Sequence, residues 1–354
     1  LKFLLVVVVL VAAVVGFYVL VPYGPEKETF VEIAPGTGTA GIAKALEKAG
    51  VVRSAVAFEG VKEWRGLSGT AGTLKAGEYR FDHRATVGEV YDRLRRGDVY
   101  TVTLVVPEGF NIFDIAAAVE AAGLGSKEDF LAAEKAHTKL IAQWSPHAAS
   151  LEGYLFPDTY KFGRRVTAVQ ILTAMVKRFG VVVGRMETAR SGVPGPEADS
   201  SAALRNDNQK SKSNGESVAR LVTMASLVEK EVHLDAERPV VASVFRNRLE
   251  AGMPLQTDPA VIYASMLRGT WTGVIHQSEL HSDSAYNTYA HVGLPPGPIC
   301  SPGLAAMRAA LHPADTQYLY FVADANGATR FAATLKEHDA NVASYRRQEV
   351  GGRK

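Results

Sequence analysis

The chain has 354 residues, 47% of them hydrophobic and 21% charged, which is enough apolar material for two or three packed domains and too much for a disordered chain. Its 39 Lys and Arg against 37 Asp and Glu leave a formal charge of +2, so net charge gives no support to a polyanion-binding role and no nucleic-acid partner is expected. A single cysteine, Cys300, excludes an intrachain disulfide framework and a Cys-rich structural metal centre.

After Lys2, Phe3 through Pro25 carry no charge, and Phe3 through Val21 are almost purely apolar. About 20 such residues cross the hydrocarbon core of a bilayer as a helix. The run ends in Phe17, Tyr18, Val19, Leu20, Val21, Pro22 and Tyr23, bulky and aromatic where a signal-peptide cleavage site requires small residues. Residues 1–25 are therefore expected to be a transmembrane signal anchor, touching the lipid bilayer through residues 3–21. No second apolar span brings the chain back, so the body is expected on the outer side of a bacterial cytoplasmic membrane, with Lys2 as the inside-positive flank.

Two stretches share a pattern. Val31, Ile33 and Gly36 precede Ile42-Ala43-Lys44-Ala45-Leu46, and Leu104, Val106 and Gly109 precede Ile115-Ala116-Ala117-Ala118-Val119. Each predicts a strand, a Gly turn and a helix with one apolar stripe. Gly77-Glu78-Tyr79-Arg80-Phe81 alternates like a strand, and Thr86 caps a helix from Val87 to Leu94. A small α/β module over 28–100 follows, then a second α/β segment and connection over 101–150. These apolar positions are needed for folding, so glycan binding cannot be deduced from them.

Near 190–216 the composition turns polar, as in Asn206-Asp207-Asn208-Gln209-Lys210, and predicts a solvated loop. A helix is expected from Ser217 through Val232. Leu221, Met224, Ala225, Val228 and Val232 make its apolar stripe. Glu231 falls about 60° from Val228 and Glu229 about 100° away on the other side, so Glu231 is the acid held closer to apolar surroundings. Desolvation raises a carboxyl pKa and suits it to proton donation. The same position equally suits a boundary Glu paired with Lys or Arg.

Leu255-Gln256-Thr257-Asp258-Pro259 gathers amide, hydroxyl and carboxylate groups beside a rigid turn, with Tyr263 one helical turn on. These groups suit sugar hydroxyls and a sugar face, and equally suit a capped turn. Tyr286-Asn287-Thr288-Tyr289 and Gly293-Leu294-Pro295-Pro296-Gly297 supply aromatic faces, an amide and a stiff path, while Tyr318 through Ala323 predict a core strand. Phe331 and the stretch from Thr334 to His338 can return beside the same face, and His338 equally suits a structural place. The nine histidines form no ligand run with Cys or acids, and no GxxxxGK[ST] cradle is present, so neither a metal nor another cofactor is expected.

Leu151-Glu152-Gly153-Tyr154-Leu155-Phe156-Pro157-Asp158-Thr159 and Met224 through Glu231 are joined in order by Val244 through Leu249, Leu255 through Pro259, Tyr286 through Tyr289, and Gly293 through Gly297. In that combination the chain resembles the YceG-like family of bacterial endolytic murein transglycosylases, commonly called MltG, over essentially its whole length. The resemblance implies an α+β fold: an N-terminal transmembrane helix, a small LysM-like α/β module and a mixed α/β catalytic region over 151–345. It implies a lyase-type cut between N-acetylmuramic acid and N-acetylglucosamine in nascent peptidoglycan strands, leaving 1,6-anhydro-muramyl ends, and an association with membrane-bound peptidoglycan synthases. The family's catalytic Glu maps to Glu231, with Glu229 as the alternative. Substrate-binding or supporting roles then fall to Glu152, Asp158, Gln256, Thr257, Asp258, Tyr263, Tyr286, Asn287 and Tyr289. An anchored peptidoglycan-binding scaffold and a hydrolytic muramidase are the rival readings.

Overall fold

A computed structural model describes residues 2–70, 72–191, 210–232, 234–323 and 329–351. The chain divides into two compact units, Leu1–Val102 with Lys161–Arg165, and Thr103–Tyr160 with Val166–Lys354. Helices and short strands mix in both, and the strands among the described residues form three two-stranded sheets.

The first unit opens with α1 (Lys2–Leu20), which has no buried residue and is long and apolar enough to cross a membrane. It continues as β1 (Thr29–Ile33), α2 (Thr39–Lys48), α3 (Ala55–Leu67), β2 (Gly77–Phe81) and α4 (Val87–Arg96). β1 and β2 pair antiparallel, Val31 opposite Tyr79 and Thr29 opposite Phe81. Alternation turns Val31, Ile33, Tyr79 and Phe81 inward onto Ile42, Leu46, Phe58, Val90, Tyr91 and Leu94. Thr86 caps α4 as its sequence predicts. Its Oγ1 accepts the Glu89 N–H at 3.2 Å while the Glu89 carboxylate accepts the Thr86 N–H at 2.7 Å, a reciprocal cap worth about 1 kcal/mol.

Next in the chain come β3 (Val102–Val105), whose first residue falls in the first unit, and β4 (Thr159–Phe162), whose last two do; the second unit holds α5 (Ile112–Ala121), α6 (Lys127–Ala136), α7 (Ala168–Ser191), α8 (Lys210–Glu231), α9 (Arg238–Glu250) and α10 (Asp258–Arg268). α11 (Gln277–Leu280), α12 (Leu304–Leu311), β5 (Tyr320–Ala323), β6 (Thr329–Ala332) and α13 (Leu335–Gly351) follow. β3 lies beside β4, and β5 pairs antiparallel with β6, Phe321 opposite Phe331. The two similar strand–turn–helix stretches share backbone detail. Gly36 and Gly109 hold φ of 81° and 79° in the turns, and Gly50 and Gly123 hold 68° and 70° past the helices, a region that glycine enters without steric cost.

α8 is the central helix of this unit. Val222, Ala225, Ser226, Leu227 and Val228 are all 0% exposed, so burial spreads well beyond a single stripe, while Leu221 and Met224 are only half-buried. The fully buried hydroxyl of Ser226 is satisfied, since its Oγ donates to the Thr223 carbonyl at 2.8 Å and accepts the Ile299 N–H at 3.1 Å. α8 starts at Lys210, seven residues before the Ser217 expected from sequence, so Ser217 lies inside the helix. Residues 192–209 of the expected polar loop lie outside the described residues.

Candidate active site

Glu231 is the last residue of α8. Beside it a cavity of about 260 Å³ is lined by Glu231, Arg248, Leu255, Gln256, Asp258, Tyr289, Phe321 and His338. Four of the residues singled out from sequence, Glu231, Gln256, Asp258 and Tyr289, therefore share one wall system. The Glu231 carboxyl has no hydrogen-bond or ion-pair partner among the described residues. Burial first, and the Asp258 charge second, push its pKa up to about 7 against the lowering influence of Arg248. The carboxyl also sits at the negative end of a helix macrodipole, which opposes ionisation in the same direction.

The loop before α10 is held from behind. Gln256 adopts φ 55°, a left-handed conformation rare for a side chain of its size. Its N–H donates to the Thr288 carbonyl at 3.0 Å, and the Thr257 N–H donates to Thr288 Oγ1 at 2.9 Å. Thr257 and Asn287 are buried at 1% and 0% exposure and do not line the cavity. Asn287 Nδ2 donates to the Leu280 and Ser282 carbonyls at 3.0 and 2.7 Å, and its Oδ1 accepts the Tyr289 N–H at 3.0 Å. That bracing brings the Tyr289 hydroxyl to Asp258 Oδ1, to which it donates at 2.7 Å. Burial and the neighbouring Asp258 carboxylate raise the Tyr289 pKa, so the phenol keeps its proton and remains a donor.

Arg248 is the wall that sequence reasoning missed. Its Nε donates to the Leu319 carbonyl at 2.6 Å, and its Nη1 to the Leu255 carbonyl at 2.9 Å and Gln256 Oε1 at 3.4 Å. The guanidinium carbon lies 5.3 Å from the centroid of the Tyr320 ring, which in turn stacks on His338 at 5.3 Å. The signal was available: Val241, Val244, Phe245 and Arg248 form one buried stripe of α9, and a guanidinium on a core stripe demands several acceptors. Phe321 carried no such signal, and His338 was expected from sequence either beside this face or in a structural place; they reach the cavity through β5 and the first turn of α13.

The remaining sequence candidates lie elsewhere. Glu229 is engaged on both oxygens, Oε1 with Arg238 at 2.9 Å and Oε2 with the Gly303 N–H at 2.9 Å, and ties α8 to the start of α12. Its side chain is only 6% exposed, so both acids of the helix end are withdrawn from solvent and what separates them is their partners. The unpartnered acid is Glu231. Glu152 is buried below α5, accepting the Ile112 N–H at 2.9 Å, and burial pushes its pKa up to about 8. Tyr263, at 2% exposure, packs against Tyr286 at 5.2 Å and hydrogen-bonds Glu152, so neither ring covers the cavity. Asp158 pairs with Arg178 at 2.6 Å, and its backbone carbonyl accepts the Val106 N–H.

The sequence model of the YceG-like family matches residues 31–344. An endolytic murein transglycosylase of Bacillus subtilis (strain 168) is 35% identical over 347 residues, covering 93% of this chain and 89% of that protein. One from Streptococcus pneumoniae R6 is 30% identical over 348 residues, covering 90% of this chain, and this chain spans 59% of that longer protein. A crystal structure of a yceG-like protein from Listeria monocytogenes superposes with a TM-score of 0.54 at 32% identity, covering 89% of this chain and 99% of that one. The chain belongs to the YceG-like family.

Proposed function

We propose that this protein is an endolytic murein transglycosylase and that Glu231 is its acid and base. The observation that carries the reading is an unpartnered, half-buried carboxyl with a pKa of about 7 on the wall of a polar cavity. The protonated acid gives its proton to the glycosidic oxygen as the bond from the muramyl anomeric carbon breaks. The muramyl 6-hydroxyl then forms the new bond to that carbon and returns its proton to the carboxylate. Glu231 ends as it began, no water is consumed, and the product carries a 1,6-anhydro end. Because the attacking hydroxyl belongs to the same sugar, its approach costs little entropy.

The cavity fits those demands. Asp258, with Tyr289 donating to it, holds negative charge near a developing positive anomeric carbon. Gln256, with its amide oxygen turned to Arg248, is left its NH2 donors for substrate oxygens. Thr257, Asn287, Glu152, Tyr263, Tyr286 and Asp158 serve as supports. We read residues 1–25 as the bilayer anchor with the body on the outer side of the membrane, 28–100 as a LysM-like glycan-binding module, 101–150 as a connecting α/β segment and 151–345 as the catalytic region. The antiparallel βααβ order of β1, α2, α3 and β2 supports the second of these. Retention of isolated residues 28–100 on insoluble peptidoglycan tests it, and free passage removes it. Nascent glycan strands are the substrate, and membrane-bound peptidoglycan synthases the partners that would supply them.

One observation favours a second reading. Two carboxylates, Glu231 and Asp258, line the same cavity, and a hydrolytic muramidase uses a pair. Mass spectrometry of products from isolated glycan strands decides. Ends one water lighter than reducing ends, lost in Glu231→Gln, support the transglycosylase; reducing ends make it a hydrolase; uncut strands leave a scaffold.

A further inference from the structure

α3 has two apolar faces. Ala55, Phe58 and Val61 point into the core of the first unit. On another side Val56, Trp64 and Leu67 are 78%, 63% and 90% exposed, and together with Gly60 they fall within about 80° of one another around the helix. Three large apolar side chains in one line on the outside of a helix form a patch of the kind that marks an interaction surface.

What lies beside the patch says what covers it. The C-terminal half of α1 and this face of α3 wall an apolar groove of about 750 Å³, with Val15 and Val19 on one side and Val56, Gly60 and Trp64 on the other. Whatever medium solvates α1 also fills that groove. If α1 crosses a bilayer, the medium is lipid. Two further features fix the depth. The Arg53 guanidinium, just before α3, lies 4.5 Å from the centroid of the Phe17 ring and 4.7 Å from that of Tyr23, joining a cation to aromatic rings where the apolar run ends. Such groups settle at the headgroup level. Glu59 and Glu63 follow one edge of the apolar line, which keeps the helix at the surface of the bilayer instead of within it.

We propose that α3 is an interfacial membrane helix, its Val56–Trp64–Leu67 face set into the headgroup–acyl boundary of the bilayer that α1 crosses. The first unit is then held against the membrane surface by two contacts, the span and the interfacial face. The inference rests on the reading of α1 as an anchor, and the test separates the two.

The full chain is reconstituted in nanodiscs of phosphatidylcholine and phosphatidylglycerol with an NBD probe at Trp64→Cys, Lys44→Cys or Val8→Cys. Cys300 is buried at 0% exposure and stays unlabelled in the folded protein. Each sample is quenched by acrylamide from water and by doxyl groups on the acyl chains. The expected result is doxyl quenching at positions 8 and 64 but not at 44, and acrylamide quenching at 64 about threefold weaker than at 44. A companion chain carrying Trp64→Glu and Leu67→Glu, probed at Val56→Cys, is expected to lose the doxyl quenching with unchanged circular dichroism. If position 8 is quenched by doxyl while 64 behaves like 44, the interfacial helix is overturned and the anchor stands. If 64 is shielded from acrylamide yet untouched by doxyl, protein covers the face and the proposal is overturned. If position 8 is untouched by doxyl, the anchor reading falls and takes this inference with it.

Discussion

Glu229 and Glu231 stand two residues apart on one helix and meet opposite surroundings. Glu229 has both oxygens occupied by donors, whereas Glu231 faces a cavity with none. Its folded pKa of about 7 lies above the ordinary 4.5, so folding favours the protonated form. The stability this group permits is fully present below the unfolded pKa and is lost as pH rises through the folded one. Glu231→Gln is therefore expected to match the parent in urea unfolding at pH 4 and to exceed it by about 1–3 kcal/mol at pH 8, while glycan cleavage falls by at least about a hundredfold. A variant no more stable at pH 8 than the parent would show that the carboxyl is not held against ionisation. Asp258 supplies part of the upward shift through its negative charge. Asp258→Asn removes that repulsion and lowers the Glu231 pKa, so the high-pH limb of kcat/KM is expected to move to lower pH. A limb that stays in place would separate Asp258 from the titrating acid.

At the scale of elements, what sequence revealed was what local pattern controls. Thr86 and Glu89 stand at the spacing of a capping box, and residues 77–81 alternate at the period of a strand, so both were readable without neighbours. Glu231 was legible as a candidate through helical geometry and family motifs together. Its contrast with Glu229 was not, because that depends on Arg238 and Gly303, contributed by other segments. Tyr263 and Tyr286 read as sugar platforms because aromatic residues near polar turns suit both carbohydrate grooves and cores, and only packing against Glu152 and Phe113 distinguishes the two. His338 was legible only as a residue that could return beside this face or serve the core, since α13 reaches the cavity only after β5 and β6 have paired. The tie between α8 and α12 yields its own expectation. Glu229→Gln leaves the Arg238 guanidinium, 8% exposed, without its buried carboxylate partner, at a cost of about 3 kcal/mol. Thermal unfolding is expected to drop for Glu229→Gln and not for Glu231→Gln, and equal losses in both would place Glu231 in the structural frame instead of at the reaction.

At the scale of the whole molecule, the proposed membrane anchor and the proposed chemistry draw on separate residues. α1 contributes no fully buried residue, and its Val19 packs half-buried on the outside of the first unit's core. Its 19 residues reach about 28 Å as a helix, the thickness of a hydrocarbon core. Every residue lining the cavity beside Glu231 comes from 231–338. A chain beginning at Val21 keeps Tyr23, whose backbone pairs with Ala85 at 2.9 Å in both directions, and so keeps the edge of the first unit. That shortened protein is expected to unfold within about 3 °C of the parent, because it loses mostly exposed apolar area, with the half-buried Val19 and the Phe17–Arg53 contact as the packing it gives up. Isolated glycan strands, which diffuse freely to either form, are expected to be cut at the same rate and to the same anhydro ends. Strands still tethered to lipid in a membrane preparation are expected to be cut far more slowly by the shortened form, since only the anchored protein is concentrated on that surface. Equal rates on tethered strands would remove the anchor from the function, and a large fall in unfolding temperature would show that α1 belongs to the folded core of the first unit.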